Sequence, residues 1–233
     1  MWLKGWADRL MMQCESLAVR CVLRFLPKAV FSKVRFLKQY LGDLMLGINS
    51  AQDVSYDKLG FDANTGYTYT PGNWWDLKGT LGYNVSREDV FIDFGSGKGR
   101  MVYVAARNYH FKKVIGVEKS EDLCAIARSN IRKNLHRLKC RNVELISTNV
   151  LDYEVPDDVS IVYMYNPFAG AVFADTIGKL NRSLTRHPRK LRLIYRNPTM
   201  HDLLVQNGFQ VERQLPELTL YVAGLSRSPT VSN

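Results

Sequence analysis

The chain has 233 residues, 46% of them hydrophobic and 23% charged, which suits one α/β domain with an N-terminal addition and allows a substantial core. Charged residues interrupt every apolar run, so none reaches the length of a transmembrane helix, and the early Asp8 and Glu15 argue against a secretory leader. The net charge of +10 excludes an acidic, polycation-seeking surface and favours polyanions, acidic proteins or anionic lipid as partners. Cys14, Cys21, Cys124 and Cys140 show no zinc spacing and read as reduced thiols of a cytoplasmic protein. The four histidines form neither a metal site nor a triad, so no metal is expected.

Residues 2–25 place Trp2, Leu3, Trp6, Leu10, Cys14, Leu17, Cys21 and Phe25 at helical spacing, and Pro27 interrupts the pattern. A second helix is expected over 29–46. Residues 1–47 carry eight Lys or Arg (Lys4, Arg9, Arg20, Arg24, Lys28, Lys33, Arg35, Lys38) against Asp8, Glu15 and Asp43. This basic extension, residues 1–50, either packs on the domain or lays its Trp/Leu face on a membrane surface, with packing favoured because helical stripes are usually core. Residues 51–85 read as a connector. Phe61, Tyr67, Tyr69, Trp74 and Trp75 are too many aromatics for a merely solvated linker, and a segment of this kind either packs as a connector or closes over a ligand. A lead-in helix is expected over 73–81.

The main domain is expected over 86–225. Val90, Phe91 and Ile92 form an apolar strand with Asp93 at its carboxyl end. Gly95, Ser96, Gly97 and Gly99 form a turn, and 101–107 reads as a helix. Strand, glycine turn and helix N-terminus together create a site for a polar, nucleotide-like ligand. The spacing D-x-G-x-G-x-G differs from the G-x-G-x-x-G of pyrophosphate sites, and an acid before the first glycine suits an ammonium group instead. A second strand, 113–117, delivers Glu118, 25 positions after Asp93, where an acid can accept ribose hydroxyls. Ser120 then caps a helix running toward Leu135. Strands follow at 143–147, 159–165 and 191–195, helices at 171–183 and 199–206, and a final antiparallel hairpin from 209–213 and 218–225. The last eight residues, 226–233, are Ser/Pro-rich and expected to be disordered. Alternating strands and helices imply a mostly parallel sheet covered on both faces, a doubly wound Rossmann-like α/β fold of seven strands. Between 179 and 196 stand seven basic residues and no acid (Lys179, Arg182, Arg186, Arg189, Lys190, Arg192 and Arg196), which read as a surface patch: either a site for a polyanion, acidic protein or anionic lipid, or simply a solvated face.

The Asp93–Gly99 turn with Glu118 resembles the S-adenosylmethionine (SAM) site of class I methyltransferases, whose architecture the strand pattern also matches. The resemblance implies SAM as cofactor, held by Asp93, Gly95, Ser96, Gly97, Gly99, Glu118, Asn149 and Tyr165. Asn149 would meet the adenine edge, where many relatives place an aspartate. Tyr165-Asn166-Pro167-Phe168 falls at the fourth strand end, where this family brings acceptor and methyl donor together. There an asparagine carbonyl can hold an amine hydrogen while Tyr165 and Phe168 exclude water. Nucleic-acid and glutamine N-methyltransferases carry a second proline in this motif, and this chain does not, which makes a nucleic-acid acceptor an outside expectation. Gly116-Val-Glu-Lys with Asn-Pro-Phe resembles the non-SET protein lysine methyltransferases, and Tyr69-Thr-Pro-Gly resembles the Tyr-x-Pro entry of small lysine methyltransferases. The resemblance therefore implies methyl transfer to nitrogen, with a protein lysine favoured and Asn166, Pro167, Phe168 and Tyr69 at the reacting centre. Methylation of a small molecule, glycan or lipid, and a SAM-binding scaffold without turnover, stay open at this point.

Overall fold

The computed structural model describes residues 28–55 and 68–224. The expected first helix, the aromatics Phe61 and Tyr67, and the 226–233 tail lie outside the described residues. Contacts divide the chain into two compact units at Leu46/Gly47. In the first unit the described element is α1, Lys28–Leu46, one residue longer than the spacing predicts.

The second unit opens with a strap of irregular chain and then α2, Asp76–Leu81. This helix is shorter than the expected 73–81 because Asn73 makes a turn instead. Its Oδ1 accepts from Trp75 N at 3.2 Å while its own N–H donates to Asp76 Oδ2 at 3.2 Å, so local side-chain bonds displace the first helical turn. The sheet strands are β1 (Val90–Phe94), β2 (Lys113–Glu118), β3 (Val143–Ser147), β4 (Val159–Tyr165), β5 (Leu191–Arg196), β6 (Gln210–Leu215) and β7 (Leu218–Ala223). Helices α3 (Arg100–Asn108), α4 (Glu121–Lys133), α5 (Gly170–Arg186) and α6 (His201–Gln206) connect them.

The sheet order is β3-β2-β1-β4-β5-β7-β6. Pairing is parallel from β3 to β5, and β7 runs antiparallel to both β5 and β6. Every residue of β1 is buried, as a central parallel strand covered on both faces requires, and its run of Val, Phe and Ile suits that place. The edge strand β6 is largely exposed and carries Arg213 and Glu212, side chains that discourage pairing with another chain. On one face Phe94, Met164, Phe173, Ile177, Tyr195 and Leu204 form a continuous core. Each such side chain contributes about 1.5–3 kcal/mol by leaving water. Ser120 caps α4 by accepting from Leu123 N at 3.3 Å, and Glu121 and Asp122 in the first turn face the positive helix end.

Two boundaries move by a residue or two with consequences for the site. Strand β1 continues through Asp93 to Phe94, so Asp93 sits inside the sheet, in register with Gly116 and Tyr163. Glu118 is the last residue of β2. The sequence order reverses between β1 and β4, and in open α/β sheets the crevice beyond the carboxyl ends at such a switch point is where ligands bind.

Candidate active site

The glycine turn is tied to the neighbouring strand by its own backbone. Gly95 N and Ser96 N both donate to Val117 O, at 2.8 and 3.0 Å, and Gly97 N donates to Glu118 Oε2 at 2.8 Å. Glu118 Oε1 accepts from Ser120 N at 2.9 Å. The carboxylate is thus clamped by one N–H from the turn and one from the start of α4, with lone pairs remaining on each oxygen. Burial raises the Glu118 pKa, and the N–H groups of Ser120, Gly97 and Lys119 pull it back. Asp93 is 3% exposed. Burial, and then the charge of Glu118, push its carboxyl well above the usual carboxylate range. A buried Asp93 beside a half-buried Glu118 makes a place where a ligand cation is favoured.

A strap closes over the turn from the N-terminal side. Val54 and Tyr69 form an antiparallel bridge, and the Tyr69 hydroxyl donates to Ser50 O at 2.9 Å. The Tyr69 ring lies directly on the turn: a Cβ added to Gly97 would fall 2.2 Å from it. Lys98 Nζ donates to Gln52 O at 2.8 Å and stands 5.2 Å from the Tyr69 ring centre. Arg100 donates from Nε to Ser50 Oγ (2.8 Å) and from Nη1 to Gly72 O (3.1 Å), and stacks 4.1 Å over Trp74. Asn130 of α4 holds Asn49 in both directions, and Asn134, just past the end of that helix, donates from Nδ2 to Gly47 O. The two basic residues of Gly97-Lys-Gly-Arg therefore hold the strap. Sequence reading of the glycine turn alone does not reveal this, because their partners lie 28–50 positions upstream.

At the β4 end Asn166 adopts φ +41°, a left-handed conformation uncommon outside glycine. Its Oδ1 accepts from Thr199 Oγ1 at 3.1 Å, and Thr199 Oγ1 is in turn 3.3 Å from Tyr195 OH. Asn197, at the end of the adjacent β5 and also followed by proline, has φ +52°. Two Asn-Pro turns thus stand side by side at neighbouring strand ends. Held backbone strain at such positions marks sites where geometry is fixed by its surroundings. Pro167 packs against the glycine turn, where a Cβ on Gly95 would lie 2.4 Å from Pro167 Cβ. Beneath them Tyr163 OH donates to Asp76 Oδ2 at 2.7 Å, and Arg196 bridges Asp76 Oδ1 (2.8 Å) and Glu217. Burial and the Asp76 charge keep Tyr163 protonated, so it remains a donor.

These elements enclose a cavity of about 270 Å³. Tyr69, Asp93, Gly95, Ser96, Glu118, Asn149, Tyr165, Asn166, Pro167 and Phe168 all line it. Gly97 and Gly99 do not. Gly97 lies under the Tyr69 ring, and Gly99, at the start of α3 with φ +76°, packs against Ala127 of α4. Asn149 uses Oδ1 to accept from Leu151 N at 3.0 Å, closing the turn after β3. Sequence reading missed Tyr163, Thr148 and Lys119 in the lining, and Thr199 behind Asn166. The repeated Asn-Pro after two apolar strands was the one available signal for Thr199.

The basic stretch 179–196 has a largely internal use. Lys179 donates to Leu151 O and Tyr153 O, Arg186 pairs with Asp157, and Arg189 donates to Val159 O and Ser183 Oγ. Lys190 pairs with Glu212, Arg192 with Asp89, and Arg196 with Asp76. Six of the seven cations are engaged within the fold, so this segment is not a patch of unpaired charge.

The model of the family described as Histone methylation protein DOT1 matches residues 80–160, which span β1 to the start of β4. A protein-lysine N-methyltransferase of Saccharolobus islandicus (strain REY15A) is 40% identical over 50 residues, 22% of this chain and 31% of that protein. The chain thus spans about a third of the length of this curated relative. Similar solved structures include an RNA methyltransferase from Salinibacter ruber in complex with S-adenosyl-L-homocysteine (19% identity, TM-score 0.47, 70% of this chain and 98% of that one). Another is a ribosomal protein L11 methylase from Lactobacillus delbrueckii subsp. bulgaricus (17% identity, TM-score 0.48, 70% and 83%).

The pocket's own chemistry fits SAM. Asp93 is a buried acid that neither a cation nor a hydrogen bond among the described residues offsets, and Ser96 Oγ is buried without a hydrogen-bond partner among them. An acid in this setting can pair with an ammonium group, the remaining lone pairs of Glu118 can accept from hydroxyls, and Ser96 Oγ has no partner among the described residues. The sheet order and the acid-glycine cradle agree with the expectation of a SAM-binding α/β sheet, and residues 80–160 match the model of a methylation family.

Proposed function

We propose that this chain transfers a methyl group from SAM to the side-chain nitrogen of a protein lysine. The observation that carries the reading is Asn166: a strained strand-end amide, braced by Thr199, lining the pocket together with Tyr165 and Phe168. SAM supplies an activated methyl on a sulfonium, so the protein needs alignment and desolvation more than acid or base strength.

In this reading each residue has one task. Asp93, Ser96 and Glu118 hold the cofactor, with Asn149 toward the base. Asn166 Oδ1 accepts an N–H of the incoming amine and directs the nitrogen lone pair. Tyr165, Phe168 and the ring of Tyr69 remove water around it. Desolvation lowers the pKa of a lysine ammonium, so the amine reaches the methyl group as the neutral nucleophile, having left its proton in solvent. When bound, SAM would supply the methyl from its sulfonium to the lysine nitrogen and leave as the neutral thioether S-adenosylhomocysteine, and the methylated ammonium would give up a proton to water. The short identity to a protein-lysine N-methyltransferase supports lysine as acceptor.

The test is transfer of labelled methyl from SAM into fractionated cell extract, with Asp93→Ala protein as control. Methyl-lysine in hydrolysed protein is expected. Label confined to nucleic acid, lipid, glycan or small-molecule pools would overturn the lysine assignment, and SAM binding with no labelled pool would support a scaffold instead.

A further inference from the structure

Helix α1 is amphipathic in the reverse sense for a helix that packs into a core. At 3.6 residues per turn, Val30, Val34, Leu37, Leu41, Leu44 and Met45 share an arc of about 100°. All six are exposed, Leu37 at 55% and Leu44 at 66%. Gly42 and Asp43, on the opposite face, are buried. Isolated exposed apolar residues are ordinary, but an aliphatic stripe running the length of a 19-residue helix is not.

The charges say what would cover it. Lys33 and Lys38 lie on the two borders of the stripe, and no charged residue interrupts it. Asp43, the one acid in α1 against Lys28, Lys33, Arg35 and Lys38, is 4% exposed, so no acid of this helix faces solvent. Phe36 and Tyr40, both exposed, stack at 6.2 Å beside the Lys33 border. An aliphatic strip with cations along its rims and aromatics at its edge matches the depth profile of a bilayer surface: acyl chains in the middle, anionic headgroups at the sides. Residues 1–47 as a whole carry eight basic residues against three acids, five of the ten net charges of the chain. Among the described residues no helix is long and apolar enough to cross a membrane, so the geometry is that of a helix lying in the surface.

We infer that α1 docks the protein on anionic lipid bilayers, with Val30, Val34, Leu37, Leu41, Leu44 and Met45 inserted and Lys33 against the headgroups. The inference is independent of the acceptor assigned above. The experiment is co-sedimentation of the full chain with vesicles of phosphatidylcholine alone or mixed with phosphatidylglycerol. Binding to the phosphatidylglycerol vesicles, weakened by salt, is expected. Burying one leucine is worth about tenfold or more in a partition constant, so Leu37→Ser/Leu41→Ser should reduce binding at least tenfold. Lys33→Glu should reduce it several-fold with the apolar stripe intact. Calorimetric SAM affinity, which reports on the second unit, is expected to stay at the wild-type value in both variants, and unchanged far-UV circular dichroism shows that α1 stays helical. Equal binding to phosphatidylcholine alone, no binding at all, or an undiminished serine variant would each overturn the inference. So would a dimer in sedimentation velocity that Leu37→Ser/Leu41→Ser dissociates, since a second copy would then occupy the stripe.

Discussion

Gly97→Ala tests how the strap and the glycine turn depend on each other. Gly97 has φ +53°, a region that costs an L-residue about 1–2 kcal/mol. The new Cβ would lie 2.2 and 2.3 Å from Tyr69 Cε2 and Cδ2. Ordinary contact needs about 3.5 Å, so the ring must retreat by about 1.3 Å. That movement strains or breaks the 2.9 Å bond from the Tyr69 hydroxyl to Ser50 O, worth about 0.5–1.5 kcal/mol. The sum is a destabilisation of about 1.5–3.5 kcal/mol, read by urea unfolding. Because Tyr69 and Glu118 flank the same cavity, SAM affinity should fall at least tenfold by calorimetry. In a Tyr69→Ala background the clash vanishes and only the backbone cost of about 1–2 kcal/mol survives. The double-mutant cycle should therefore show coupling of about 0.5–1.5 kcal/mol. Additivity within about 0.3 kcal/mol would refute the argument that the ring seals the turn.

Asp93→Asn should abolish SAM binding yet raise the stability of the ligand-free protein at neutral pH. The folded Asp93 holds its proton to higher pH than an unfolded aspartate, whose pKa is about 3.9, so its contribution is full below that value and is lost as pH rises through the raised folded pKa. Thermal melts should show the variant's advantage shrinking as pH falls toward 4, and a variant no more stable than wild type at pH 7 would count against the buried, unpaired acid. Asn166→Ala should keep SAM affinity and lose turnover, and unchanged turnover would remove Asn166 from the reacting centre. Thr199→Val should lower kcat roughly tenfold with SAM affinity intact and Thr199→Ser restoring it, as expected for a hydroxyl that orients Asn166. Equal loss in both Thr199 variants would point to packing. Arg196→Leu leaves buried Asp76 without its cation and should cost about 3–5 kcal/mol in chemical denaturation, part of which Asp76→Leu in the same chain should recover.

The sheet was legible because its signals are local. Apolar runs of the right length, the Asp93–Gly99 turn, the Ser120 cap and the strand-end acid Glu118 announce themselves within a few residues, and ten of the twelve residues expected at the site line one cavity. Gly97 and Gly99 were legible as turn residues, but their cover by Tyr69 and Ala127 was not. The charge run at 179–196 read as a surface patch because its partners Asp76, Asp89, Asp157 and Glu212 are distant in sequence, and pairing across a fold leaves no trace in composition.

Periodicity, glycine spacing and strand-end acids were enough on their own to set the order of elements and the kind of ligand, since each depends on backbone geometry and nearest neighbours. Only the tertiary structure decided which way the α1 stripe faces, which basic residues hold the strap, and that Thr199 stands behind Asn166. Those depend on which surfaces meet after the chain has crossed itself many times, and helical spacing in α1 is the same whether its apolar face is buried or turned outward.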